Sequence, residues 1–322
     1  MLQNNQKGFT LLELLVVITL LATLSVGALV AYEGIGENAS NVAAANNIKV
    51  ADSSIRSYRA LENVYPNQWD NLANVGGELT GGTQEFLADS TKAFFGQWQA
   101  TTADAVTAAV ALSLNAVGVN EFQTLATAAT FDAATAPNER LNESAPGLLT
   151  GDAADELEFE VDGLTGALSA VNYDGTAQTT FALSVVPSGG NNQACTAGGG
   201  VFNATFDNTT LTDNTRLNRI NDALDDDECN LVVAVGFGKD VPGTTLGSRV
   251  AISTAPTYTN GTVVNPSTSY ARYMALFQVA ADEDQSGTIE AGEVFAKARL
   301  LAVVDTEGRN IDQSIAGAFA SN

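Results

Sequence analysis

The chain opens with a long apolar run that turns into a periodic one. Leu14 to Ala31 reads LLVVITLLATLSVGALVA, eighteen residues without a charge, and Phe9 to Leu12 extend it on the N-terminal side. A helix needs roughly 20 residues at about 1.5 Å each to cross a hydrocarbon core, and this run supplies them. Farther on, Val42, Ala45, Ile48, Ala51, Ile55 and Tyr58 recur at spacings of three and four, which predicts one apolar face of a helix. Lys49, Ser53 and Arg56 mark the polar side, with Asp52 and Arg59 near its edge. Pro66 is the terminator, because the residue before a proline is pushed out of helical geometry. One long helix over about 9–63 is predicted. Gly27, Gly34 and Gly36 weaken it by about 1 kcal/mol each against alanine. Gly34 to Gly36 is the place for a kink, or for a hinge between two separate helices.

Past Pro66 the texture changes to Asn, Gly, Thr, Ala and Asp. Segment 67–83 reads as a loop, broken by Gly76-Gly77 and Gly81-Gly82. Segments 84–97 and 102–130 read as helices, giving a helical insertion over about 84–130. Phe86, Leu87, Phe94 and Phe95 form one apolar set, Ala105, Val106, Ala109, Val110 and Leu112 a second, and Phe122, Leu125 and Ala126 a third. From about 155 the period becomes two. Leu157, Phe159 and Val161 alternate with Glu156, Glu158, Glu160 and Asp162, which predicts a strand with an acidic outer face. Asp162-Gly163 and Asp174-Gly175 are hairpin signals. Segments 180–186, 231–235 and 272–279 are further strands, rich in β-branched and aromatic residues. The predicted class is α+β: a long N-terminal helix packed on a mainly antiparallel sheet head, 64–322, with a helical insertion.

Composition then removes whole classes of chemistry. Among 322 residues there are 37 Asp and Glu against 14 Lys and Arg, a net charge of −23, and no histidine. A surface this acidic cannot displace counterions from phosphates, so no nucleic-acid partner is expected. Without histidine there is no Ser-His-Asp or Cys-His nucleophile and no His-based zinc site. Glu156 and Glu158 resemble a glycosidase carboxylate pair in type only. Alternation along a solvated strand accounts for them, and the chain is read as a structural protein, not an enzyme.

Glu13 is the anomaly of the apolar run. A carboxylate there costs on the order of 2–3 kcal/mol on insertion scales unless it is paired. A secretory signal peptide fits poorly, since the basic region is short and no small-residue cleavage site follows. A plain membrane anchor leaves Glu13 unexplained. Lys7-Gly8-Phe9-Thr10-Leu11-Leu12-Glu13-Leu14-Leu15-Val16-Val17 resembles throughout the N-terminal signature of type IV prepilins. The resemblance implies a leader, 1–8, removed by prepilin peptidase between Gly8 and Phe9, and N-methylation of Phe9. It implies a precursor in the bacterial inner membrane, extracted by an assembly machinery into a helical homo-oligomer. It also implies that Glu13 meets the terminal amine of a neighbouring subunit. The spacing has its own logic: Glu13 lies one helical turn from Phe9, and a charge in apolar surroundings is tolerable only when paired. Pairing with its own amine satisfies the same condition.

Two more features carry chemistry. Cys195 and Cys229 lie 34 positions apart. A chain exported across the membrane meets an oxidising compartment, where a disulfide is expected; two buried thiols are the alternative. Asp282-Glu283-Asp284-Gln285-Ser286-Gly287-Thr288-Ile289-Glu290-Ala291-Gly292-Glu293 resembles the twelve-position EF-hand calcium loop. Asp282, Asp284 and Ser286 take positions one, three and five, Gly287 the tight turn, and the Thr288 carbonyl the seventh place. Glu290 stands at the ninth and Glu293 closes the loop as a bidentate ligand. Ca²⁺ is therefore expected as a structural cofactor. The approach to this loop reads as a strand where an EF-hand has a helix, no second loop pairs with it, and an acidic surface hairpin is the competing reading.

Three functions follow. The first is a subunit of a type IV pilus or pilus-like extracellular filament. The second is a type II secretion pseudopilin, confined mainly to the periplasm. The third is a membrane-anchored, calcium-dependent adhesin that never polymerises.

Overall fold

The computed structural model describes residues 10–67, 69–74, 87–125, 154–161, 168–172, 177–190, 193–198, 200–201, 204–205, 211–224, 228–237, 257–260, 263–266 and 269–320. Helix α1 runs unbroken from Leu11–Glu62, helical through Gly34 and Gly36. It ends at Asn63, whose left-handed backbone (φ 62°) lets its N–H bond the Arg59 carbonyl. The Arg59 guanidinium then bonds the Tyr65 hydroxyl and stacks over its ring at 4.3 Å.

The head follows in the order β1 (Trp69–Asn74), α2 (Asp89–Phe94), β2 (Gly96–Thr101), α3 (Ala105–Asn115), β3 (Glu121–Leu125), β4 (Ala154–Val161), β5 (Leu168–Asn172), β6 (Ala177–Gln178) and β7 (Thr180–Val186). Short pieces come next: β8 (Gly189–Gly190), β9 (Gln193–Ala194), β10 (Thr196–Ala197), β11 (Gly200–Val201), β12 (Ala204–Thr205) and α4 (Thr215–Asn218). The chain closes with β13 (Asn230–Gly236), β14 (Met274–Ala281), β15 (Thr288–Ile289), β16 (Val294–Val304) and α5 (Ile311–Ala320). An eleven-stranded sheet runs β12-β2-β7-β13-β1-β3-β4-β5-β6, with β14 added to β13 and β16 to β14. Its pairings are antiparallel except β1 with β3. This is the α+β architecture expected, a long helix on a mainly antiparallel sheet.

The helical insertion is corrected. Among the described residues of that segment, only 89–94 and 105–115 are helical; Gly96–Thr101 and Glu121–Leu125 are strands inside the main sheet. Alanine-rich surroundings suggested helix, but β2 finds a full antiparallel partner in β7 and β3 lies between β1 and β4. Trp98 and Phe122 are thereby buried on the sheet, and packing of that kind overrides local propensity. The loop assigned to 67–83 is also corrected over 69–74, which forms β1. Its polar residues are carried by distant partners: Asn71 donates to the Ala182 carbonyl at 2.8 Å and accepts from the Ser184 N–H at 2.8 Å. The two Gly-Gly pairs and both Asp-Gly turns lie outside the described residues.

Helix α1 meets the head through Ala44, Ala45, Ile48, Ala51 and Ile55, all buried. The seam is rotated from the predicted one: Val42 is exposed, and Asn41 and Ala44 take its place. The reason is α5, which packs on α1 and brings Gly317 within 3.3 Å of the Asn41 side chain for any added Cβ. Helix α5 was not anticipated. Its start is a reciprocal cap, with Gln313 N–H donating to Asn310 Oδ1 at 2.9 Å and Asn310 N–H to Gln313 Oε1 at 3.2 Å.

Candidate functional site

The first third of α1 is an unpartnered apolar rod. Leu11–Leu29 is long and apolar enough to cross a membrane, and none of it is buried against the head. Its polar side chains are turned inward on their own helix. Thr19 Oγ1 donates to the Val16 carbonyl at 2.9 Å, Thr23 Oγ1 to Leu20 at 3.0 Å and Ser25 Oγ to Leu21 at 2.7 Å. A helix in hydrocarbon needs this internal satisfaction, since no water is there to bond. Glu13 closes a capping box: Oε2 accepts from the Thr10 N–H at 2.8 Å and its hydroxyl at 2.9 Å, while Glu13 N–H donates to Thr10 Oγ1 at 3.3 Å. Thr10 is a partner that sequence reasoning passed over, although Thr-x-x-Glu ahead of an apolar run is a helix-start signal. Gly8 and Phe9 lie outside the described residues.

The acidic loop joins β14 to β16, two antiparallel neighbours. Both flanks are strands, so the helices of an EF-hand are absent here. Inside the loop, Asp282 is fully buried and organises the turn. Its Oδ1 accepts from Ser286 N–H at 3.1 Å and its Oδ2 from Gly287 N–H at 2.7 Å. Gly287 has φ 82°, a conformation that favours glycine. Carboxylate oxygens of Asp282, Asp284 and Glu293 all lie within 4.8 Å of one another. Glu293 reaches back across the loop, accepting from Glu283 N–H at 3.0 Å and Glu290 N–H at 2.9 Å. Ser286 Oγ donates to the Thr288 carbonyl at 3.0 Å. Glu290 is exposed and is not one of the three converging carboxylates. Ile289 is buried and anchors the loop to the core.

The electrostatics suit a cation. Burial pushes the Asp282 carboxyl up from its ordinary range, and the nearby Glu293 charge adds to that. A side-chain hydrogen bond with Asp282, then one from Ser286, draws Asp284 down. All available donors are hard oxygens, the set that Ca²⁺ prefers.

The loop is stitched to a neighbouring ribbon that the sequence did not reveal. Strand β10 pairs parallel with β15, placing Thr196 beside Thr288 and Ala197 beside Ile289. Cys195, just before β10, is joined in a disulfide to Cys229, just before β13, with Cα atoms 5.7 Å apart. The expected bridge is present, and both cysteines are fully buried.

Residues 3–29 match the prokaryotic N-terminal methylation motif. No curated protein and no solved structure matches the chain. The N-terminal methylation motif accounts for Lys7 to Val17, the apolar helix that follows, and membrane anchoring of the precursor. A motif of this kind implies processing by prepilin peptidase and assembly into filaments. The motif suggests a structural protein, and it stops short of the head, so the acidic loop and the disulfide stand outside the match.

Proposed function

We propose that the chain is a structural subunit of a type IV pilus or pilus-like extracellular filament, polymerising through α1. One observation carries this reading: a methylation-motif helix whose first third is bare and apolar while its last third is built into the head. The bare part dissolves in the inner membrane in the precursor. After cleavage between Gly8 and Phe9 and methylation of Phe9, it packs against copies of itself. Burial of the apolar side chains between subunits drives assembly. Glu13, released from Thr10, pairs with the amine of a neighbouring Phe9. Pairing of a single buried acid favours one axial register over the others. The acidic heads face outward and keep filaments apart.

The head carries a structural Ca²⁺. Asp282, Asp284 and Glu293 would hold it, with Ser286, the Thr288 carbonyl and Glu290 completing the oxygen set. When bound, the ion offsets three crowded negative charges. Binding to the folded form alone stabilises that form, about 2.7 kcal/mol at a hundredfold excess over Kd.

The test is electron microscopy of filaments sheared from cells, with mass spectrometry of the subunit's N-terminus. Filaments whose subunit begins at N-methyl-Phe9 are expected. Intact Met1 in them would remove the processing step, and filaments found only between the membranes would assign a secretion pseudopilus. Surface display that survives Glu13→Ala without any fibre would favour a tethered adhesin. For calcium, thermal unfolding in EDTA and in added Ca²⁺ should differ, and Asp282→Ala/Glu293→Ala should erase the difference.

A further inference from the structure

We infer that the Cys195–Cys229 disulfide controls the calcium affinity of the 282–293 loop, and that calcium in turn protects the disulfide. This rests on the calcium reading above. Cys229 itself and the residue after Cys195 each bond to the loop. On one side, the Cys229 carbonyl accepts from Asp282 N–H at 2.8 Å, so it holds the backbone of the first ligand. On the other side, Thr196 N–H donates to the Gly287 carbonyl at 3.0 Å, and Thr196 Oγ1 lies 2.9 Å from Thr288 Oγ1. Gln193 closes over the turn, so that a Cβ at Gly287 would meet its amide nitrogen at 2.8 Å. The bridge therefore ties together the strand that positions the Asp282 end of the loop and the ribbon that positions its Thr288 end. With both fixed, the ligand oxygens are preorganised and less ordering is left for the ion to do.

Reduction cuts the tie. A dithiol reductant delivers two electrons and two protons to the Cys195–Cys229 bond and closes to its own disulfide, leaving two thiols. The ribbon is then held to the loop by β10–β15 pairing and the contact between the Thr196 and Thr288 hydroxyls. It keeps its other anchors, among them the Trp98 Nε1–H bond to the Ala197 carbonyl at 3.2 Å, so the head remains folded while the loop loosens. Linkage makes the effect reciprocal: whatever oxidation adds to calcium affinity, calcium adds to the resistance of the disulfide. Both sulfurs are buried, so a reductant reaches them only when the ribbon opens, and the ion holds it shut. A chain arriving in an oxidising compartment thus gains its tight calcium loop after the bridge has formed.

The experiment uses the full chain in detergent micelles. Calcium titration calorimetry is run on the oxidised chain, on the chain reduced with a phosphine, and on Cys195→Ala/Cys229→Ala. Circular dichroism checks that each is folded. Calcium is expected to bind the oxidised chain at least about fivefold more tightly than either sulfur-free form, within the usual range of coupled sites. In the reverse direction, dithiothreitol should reduce the disulfide of the native chain more slowly with calcium than with EDTA, because the ion holds the ribbon closed over the buried sulfurs. Asp282→Asn/Glu293→Gln should remove that protection and leave the bridge intact. Equal affinities in folded oxidised and reduced chains, or equal reduction rates with and without calcium, would overturn the coupling and leave the calcium site standing. No binding by the oxidised chain would overturn the calcium reading itself. Should the sulfur-free forms unfold, the reduction rates on the native chain decide alone.

Discussion

Asp70→Asn should make the head more stable as the pH rises, although the substitution removes a carboxylate from a β-strand bonding network. Asp70 is fully buried on β1. Its Oδ2 lies 2.8 Å from Tyr270 Oη, which in turn lies 3.0 Å from the Phe237 carbonyl. A tyrosine hydroxyl has one hydrogen. An ionised Asp70 and the Phe237 carbonyl would compete for it. A protonated Asp70 donates to Tyr270 Oη, whose hydrogen then goes to Phe237, and the chain of bonds is complete. Asp70 Oδ1 has no hydrogen-bond partner among the described residues, which again suits the neutral acid. Burial accordingly pushes the Asp70 carboxyl well above its ordinary 3.8, with Tyr270 and the charge of Arg272 only partly opposing it. The sign follows. An acid whose folded pKa is raised contributes fully below its unfolded value, and that contribution is lost as pH rises through the folded value. Asparagine is isosteric with the neutral acid and does not titrate. Between those two pKa values the variant should therefore gain on the wild type by about 1.4 kcal/mol per pH unit. For a domain of this size that is about 3–6 °C in Tm per unit. Thermal unfolding of both proteins at pH 5, 6 and 7 reads it, and the difference cancels every other titrating group. A difference independent of pH would refute the protonated chain.

Three other expectations are independent of it. Ile55→Ala removes a fully buried contact between α1 and the head and should cost about 2–5 kcal/mol in chemical unfolding; Leu24→Ala, on the bare third, should leave that transition where it is. Cys195→Ala/Cys229→Ala opens a loop of 34 residues, worth about 4 kcal/mol by chain entropy, and a urea midpoint unmoved from the oxidised wild type would contradict it. Glu13→Gln should cut the yield of sheared filaments while the head melts as before, because Glu13 bonds only to Thr10 in the described part of the chain.

The parts of the fold legible in the residues share a property. Ile48, Ala51 and Ile55 recur at helical spacing over two turns, and Leu157, Phe159 and Val161 at every second residue. Residues 181–186 and 231–235 lie in strands and are buried throughout, and runs rich in β-branched and aromatic residues announced them. The misread parts depend on partners far along the chain. Trp69 to Asn74 looked too polar for a strand until Ser184, Ala182 and Tyr270 supplied its bonds from more than a hundred residues away. Gln97 to Ala100 and Phe122 to Leu125 are short, and alanine nearby imitates a helix.

The same division holds for function. Residue order alone settled a membrane-length helix with one acid near its start, a pair of cysteines and a twelve-residue run of spaced oxygen-bearing side chains, because each is a statement about neighbours within a few positions or about residue type. It could not say which α1 face meets the head, since α5, arriving from the other end of the chain, turned that seam away from Val42. Nor could it place Cys195 and Cys229 against the acidic loop. That adjacency exists because β10 pairs with β15 across some ninety residues, and β13 brings the Cys229 carbonyl to Asp282 across some fifty. Contacts at such separations are chosen by the packing of the whole head, not by the residues that make them.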